Sequence, residues 1–171
     1  MSDLQAISEI LERLRSRYYG KYRGTVTDVE EGGRGRIKAK VPAVLGEQKT
    51  GWCEPCVPYA GAGVGIVFLP ELGSGVWIEF EAGDVSYPIW TGAYWRDGEF
   101  PSDAAAAKKL IVTSKGHKIL LDDDAESIEL SDSNGNSVTL DSSGIVLVRG
   151  SGKVEISQSK VTVNDGGLEV S

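Results

Sequence analysis

From Ile119 onward, apolar side chains recur in pairs two positions apart: Ile119/Leu121, Ile128/Leu130, Val138/Leu140, Val146/Val148, Val154/Ile156, Val161/Val163 and Leu168/Val170. Successive pairs are offset by 9, 10, 8, 8, 7 and 7 residues, with Asp, Ser, Asn and Gly filling the gaps. A period this short leaves no room for a helical repeat. It reads as short strands joined by tight turns, each strand presenting one apolar face. Two apolar side chains per strand give too little surface to enclose a core within one chain. Three chains about one axis would turn each stripe into a closed triangular layer, with no free sheet edge along its length. The expectation over 115–171 is therefore a trimeric triangular β-helix, or β-prism, with these pairs as the trimer core.

Upstream the pattern keeps period two but loses the regular spacing. "RIKAKV" sets Ile37, Ala39 and Val41 against Arg36, Lys38 and Lys40; "VWIEFE" sets Val76, Ile78 and Phe80 against Trp77, Glu79 and Glu81. Turn signals "EEGGRG", "PELGSG" and "EAGDVS" separate the runs. Strands are expected near Tyr22–Val29, Arg34–Val41, Gly51–Val57, Val64–Phe68 paired with Val76–Glu81, and Pro88–Tyr94, enough for a small closed barrel of the OB type over 19–96. A polar, alanine-rich linker, "RDGEFPSDAAAAKKL", follows and is assigned to 97–114. Residues 1–18 read as a helix with Leu4, Ile7, Leu11 and Leu14 on one face, packed on its own barrel or docked on a partner. The fold class is all-β with one N-terminal helix.

Charge and motifs remove several function classes. The chain has 18 Lys and Arg against 25 Asp and Glu, a formal charge of −7, and its deficit of positive charge disfavours binding to phosphate backbones. The one local exception is the basic strand Arg34, Arg36, Lys38 and Lys40. No run approaches the roughly 18–20 apolar residues of a membrane span, and the N-terminus lacks the basic and small-residue marks of a cleaved leader. Chemistry is no better served. Cys53 and Cys56 form a C-x-x-C, but two Cys and one His cannot close a four-ligand zinc site. Pro55, Pro58 and Gly61 deny the helix that a redox dithiol needs. Two small, partly buried residues, or a local disulfide, remain. "GAGVGIVF" has Ile66 where a dinucleotide fingerprint needs its last glycine. "DSNGNS" lacks the remainder of a calcium loop and reads as an Asn-Gly turn. His117, the sole histidine, shares parity with Ile119 and Leu121. It reads as a structural collar residue, with an axial metal or anion site on the trimer as the minor alternative. No cofactor site and no acid–base pair stands out.

The run from Gly20 to Trp95, with "GRGRIKAKVP", "W-x-EPCVPYAG", "FLPELGSGVWIEFEAGD" and "PIWTGAYW", resembles the phage baseplate assembly protein V family, whose barrel is shared with type VI secretion spike proteins. "TSKGHKILLDDD" and "IELSDSNGNSVTLDSSGI" resemble the start of the spike in the same family. The resemblance implies an OB-fold followed by a trimeric β-helix, a structural central spike of a contractile phage tail, bacteriocin or related injection system. Such a spike is not an enzyme. It pierces the target cell envelope and joins the baseplate hub to the tip, within a virion or tail-like particle assembled in the bacterial cytoplasm. No lysozyme-like insertion fits the linker and no hub domain is fused ahead of the barrel, so the hub is expected as a separate protein. "VTVNDGGLEVS" carries no histidine to hold an apical metal ion, and its last strand is left unpaired. A small tip protein of the proline-alanine-alanine-arginine repeat (PAAR) type is therefore expected there. The contrasting reading is an OB-fold module binding nucleic acid or glycan on a trimeric stalk; an envelope-degrading enzyme is the other. The acidic composition and the repeats weigh against nucleic acid as a partner.

Overall fold

The computed structural model describes residues 5, 7, 8, 10–12 and 16–170. Two compact units divide the chain, Met1–Glu99 and Phe100–Ser171.

In the first unit, alternating apolar residues build strands β1 (Tyr22–Val29), β2 (Ile37–Lys40), β3 (Glu54–Pro55), β4 (Ala60–Gly61), β5 (Val64–Gly65), β6 (Gly75–Phe80) and β7 (Pro88–Tyr94). Five of them form one sheet in the order β2-β1-β6-β7-β3. Its two ends meet at Cys53: the Cys53 N–H donates to Ile37 O at 2.7 Å, and Ile37 N–H donates to Cys53 O at 3.4 Å. With the Lys40–Lys49 bridge and the Thr50 N–H donating to Ala39 O at 2.9 Å, this pairing closes the curve into a barrel. Val26, Ile37, Ala39, Val41, Cys53, Val76, Ile78, Phe80 and Trp90 fill it. The Trp90 indole keeps its polar end satisfied by donating to Gly35 O at 3.0 Å. Gly24 lies where the packing is close, since a Cβ there would lie 3.0 Å from Ile78 Cγ1.

Two barrel expectations need correction. Val64–Gly65 pairs with Ala60–Gly61 rather than with the strand after it, because Gly63 at φ +73 permits a tight local hairpin. β6 instead pairs with β1 and β7. The strand expected over Gly51–Val57 shortens to Glu54–Pro55, as Pro55 and Pro58 have no N–H to give a ladder.

The second unit is one sheet of eight strands: β8 (Lys108–Val112), β9 (Lys118–Asp122), β10 (Ser127–Ser131), β11 (Asn136–Asp141), β12 (Gly144–Arg149), β13 (Gly152–Ile156), β14 (Val161–Val163) and β15 (Leu168–Val170). Each pairs antiparallel with its sequence neighbours alone. One chain thus makes a curled up-and-down meander, and the winding of a β-helix is not among the features of the single protomer. The linker is shorter than the assigned 97–114, because Lys108–Val112 already pairs with β9. The helical residues described near the N-terminus are Gln5, Ile7, Ser8 and Ile10–Glu12, which agrees with a helix there.

Candidate functional site

Strand register decides which side chains share a face of the eight-stranded sheet. Ile119 and Leu121 stand opposite Leu130 and Ile128, which stand opposite Val138 and Leu140. Val138 and Leu140 pair with Leu147 and Ile145, and these with Val154 and Ile156. Val163 and Val161 then pair with Leu168 and Val170. The expected stripe is continuous except on β12. There Val146 and Val148 face away from it, opposite Glu155 and Lys153, while Ile145 and Leu147 take the places assigned to them. Four consecutive apolar residues in "GIVLVR" fit either parity. The Asp141↔Gly144 pairing at the turn selects one. Ile111 on β8 joins the same stripe opposite Ile119, a position that the unbroken apolar run "LIV" hides from a period-two count.

This face has nothing to cover it within its own unit. Leu130 is 54% exposed, Ile128 46% and Leu147 40%. All the fully buried apolar residues among those described belong to the barrel; in the second unit only Asp122 and Thr162 are buried. A shallow groove of about 800 Å³ runs over the stripe past Leu130, Val138, Leu147, Val154 and Val163. The opposite face carries Leu110, Leu120, Val146 and Val148 but is otherwise polar and internally paired: Lys118 Nζ lies 3.6 Å from Glu129 and 3.4 Å from Asp103, and Lys153 Nζ lies 2.7 Å from Glu155. An eight-stranded sheet with one apolar, uncovered face and one salt-bridged face is half of a hydrophobic interior.

The turns are held by local hydrogen bonds. Asp132 accepts from the Asn134 and Asn136 N–H groups at 2.8 and 3.0 Å, and from their side-chain amides at 3.3 and 2.6 Å. These bonds, that from the Asn136 backbone first, hold its carboxyl far below the usual range. The "DSNGNS" loop is therefore a self-saturated turn. Asp122 likewise caps its own turn through the Ala125 and Asp124 N–H groups, both at 3.1 Å, and pairs with Lys108 at 3.1 Å. His117 is exposed at a turn, and its N–H donates to Thr113 Oγ1 at 3.1 Å. No group of three metal-ligating side chains occurs among the described residues.

In the barrel, Cys53 is buried and Cys56 exposed, and both thiols are free. Burial pushes the Cys53 thiol up, away from the reactive thiolate, with Thr50 Oγ1 3.2 Å away acting against this. The basic strand is neutralised at close range. Arg36 forms a two-pronged pair with Glu30, and Arg34 lies 3.2 Å from Glu54. Lys40 pairs with Glu47, and Lys38 Nζ sits 4.6 Å above the Trp52 ring. On the N-terminal helix Ile7 and Leu11 are 53% and 47% exposed. Leu4 and Leu14, expected on the same face, lie outside the described residues. The loop after β5 adds Val67, Phe68 and Leu72, at 74%, 64% and 68% exposure, the first two of which were expected in a strand over Val64–Phe68.

Two family models match this chain. The model for the type VI secretion system and phage-baseplate injector OB domain matches residues 22–95, and that for the phage baseplate V C-terminal trimerisation domain matches residues 108–169. No curated protein matches the sequence. The matched segments coincide with the closed barrel and with the eight-stranded sheet whose apolar face needs partners. The chain belongs to the phage baseplate V family of baseplate and secretion-spike proteins.

Proposed function

We propose that this chain is the central spike of a contractile tail or injection-system baseplate, a homotrimer that joins the hub to the tip and pierces the target envelope when the sheath contracts. The observation that carries the reading is the uncovered apolar face of the second unit, on a segment matched to a trimerisation domain. Three such faces turned toward one axis give a dry interior and leave the salt-bridged faces outside. Eight strands at about 4.8 Å spacing make a shaft about 34 Å long. Its role is mechanical, and no acid–base pair is assigned to it. The exposed Ile7 and Leu11 of the N-terminal helix, with Val67, Phe68 and Leu72 of the barrel, suit docking to a separate hub protein. At the other end β15 is an edge strand with Leu168 59% exposed, a template for a small PAAR-type tip protein.

The test has two parts. Sedimentation equilibrium of the full chain should give three times the protomer mass, and a stable monomer would end the reading. Imaging of complete particles should then place the barrel against the hub and further density beyond β15. Particles of normal form and infectivity in which this chain is absent would refute the spike role even for a trimer.

A further inference from the structure

The turns of the eight-stranded sheet leave it alternately on its two sides. Residues 113–117, 132–135, 150–151 and 164–167 lie along one side, and residues 123–126, 142–143 and 157–160 along the other. Charge divides unequally between them. The first side carries Lys115 and Arg149, with Asp132 saturated by its own turn and Asp165 3.3 Å from Lys153. The second carries Asp123, Asp124, Glu126 and Asp141, with Lys160 at its far end and Lys109 paired to Asp123. Among the described residues, Lys115, Arg149, Asp124 and Glu126 have no salt-bridge partner in their own chain. Asp141 receives Ser143 and Gly144 on Oδ1, with no bond to Oδ2.

Rotational symmetry fixes what these sides meet. If identical sheets close a ring with apolar faces inward, the first side of one copy abuts the second side of the next at every corner. The turns on the two sides are offset by one strand, about 4.8 Å, so they interleave. Turn 113–117 then falls beside turn 123–126, and turn 150–151 falls between turns 142–143 and 157–160, with Arg149 on the β12 level nearer Asp141 than Lys160. We propose that neighbouring copies of this chain are joined along these edges, with Lys115 of one facing Asp124 and Glu126 of the next and Arg149 facing Asp141. The inference rests on the trimeric reading above. It also supplies what the apolar stripe lacks. A stripe that repeats on every strand does not distinguish one axial register from the next, whereas charges that do not repeat do. Sliding one copy by two strands would set Arg149 against turn 157–160 and its Lys160 in place of Asp141.

Cross-linking of the full chain tests this directly. Lys115→Cys and Glu126→Cys are placed together in a chain carrying Cys56→Ser. Within one chain the two positions are separated by β9, five residues or about 17 Å of extended strand. A disulfide needs Cα atoms within about 7 Å, so this pair bonds only between copies. Mild oxidation should give a covalently closed trimer on a non-reducing denaturing gel, with each single variant remaining monomeric. Arg149→Cys with Asp141→Cys, separated by β12, is the second pair and should behave alike. Lys115→Glu should weaken the trimer about tenfold over its three corners, and adding Asp124→Lys and Glu126→Lys should restore it. A wild-type trimer in which neither cysteine pair links would overturn the edge assignment and leave the trimer standing. A monomeric wild type would overturn both.

Discussion

Residues 146 and 147 are neighbours on one strand and provide the sharpest test of which face is interior. Leu147 keeps 40% of its surface exposed in the protomer. Full burial of a leucine is worth about 1.5–3 kcal/mol, so covering the remainder contributes about 1 kcal/mol per chain, about 3 kcal/mol for a trimer. Leu147→Asp loses this and brings a carboxylate from each chain toward the axis. Keeping each one neutral at pH 7 means raising its pKa by about 3 units, about 4 kcal/mol apiece. The sum, about 15 kcal/mol, is as large as the whole stability of a typical domain. Val146→Asp makes the same chemical change on the polar face, opposite Glu155 and Thr139. Its cost is a like-charge neighbour, about 1 kcal/mol or less per chain. Sedimentation velocity across a concentration series should find Leu147→Asp monomeric and Val146→Asp trimeric, with near-ultraviolet circular dichroism confirming that the barrel around Trp90 persists in both. A trimeric Leu147→Asp protein, or equal damage from the two, would refute the face assignment.

Gly144 has φ +143, and a Cβ there would lie 2.0 Å from Ile156 O. Gly144→Ala should therefore cost more than the roughly 1–3 kcal/mol of backbone strain expected for Gly135→Ala, which has open space; denaturant midpoints of the two variants would reveal equal costs if this is wrong. Glu30 is held down to about 2 from an ordinary 4.5, first by the Arg36 guanidinium and then by the Arg34 N–H. A depressed carboxyl stabilises above its unfolded value, so the deficit of Glu30→Gln relative to wild type should be full above about pH 4.5 and fade as pH falls through about 2. Urea unfolding at stepped pH measures this, and a deficit independent of pH would contradict it. Deleting residues 1–16 should leave the trimer mass intact but reduce incorporation into baseplates; full occupancy of the truncated protein would confine the helix to packing on its own barrel.

The sequence exposed what repeated and concealed what depended on a single contact. Strands Tyr22–Val29 and Pro88–Tyr94 were legible to the residue, because clean alternation is bounded by turn formers on both sides. The strands after Lys118 were legible for the same reason. Parity on β12 was not, since all of Ile145–Val148 is apolar and only the two-residue turn after Asp141 sets it. The barrel was recognisable as a class, but its closure rests on isolated bridges, Ile37 with Cys53 and Lys40 with Lys49, and isolated bridges have no period. The first of these explains a motif that misleads on first sight: Cys53 is a small residue that fits between strands, and its spacing from Cys56 carries no chemistry. The basic strand was misleading in a related way, because alternation displays Arg34 and Arg36 but cannot show that Glu30 and Glu54 lie against them.

Pairing only between sequence neighbours has a kinetic meaning. Each hairpin of the second unit closes over a handful of residues, a step of microseconds, and no strand has to wait for a distant part of the chain. A complete sheet can thus be laid down hairpin by hairpin as the polypeptide emerges. Held alone, though, such a sheet has almost nothing beneath it to keep it in shape. The slow and decisive event is then the meeting of copies, so the yield of finished shafts depends on protomer concentration more steeply than on any property of one molecule. Every strand from β9 to β14 already has both hydrogen-bonded neighbours in its own chain, so only the edges β8 and β15 have backbone groups left to offer another copy. A damaged copy can in principle leave and be replaced without unravelling its neighbours.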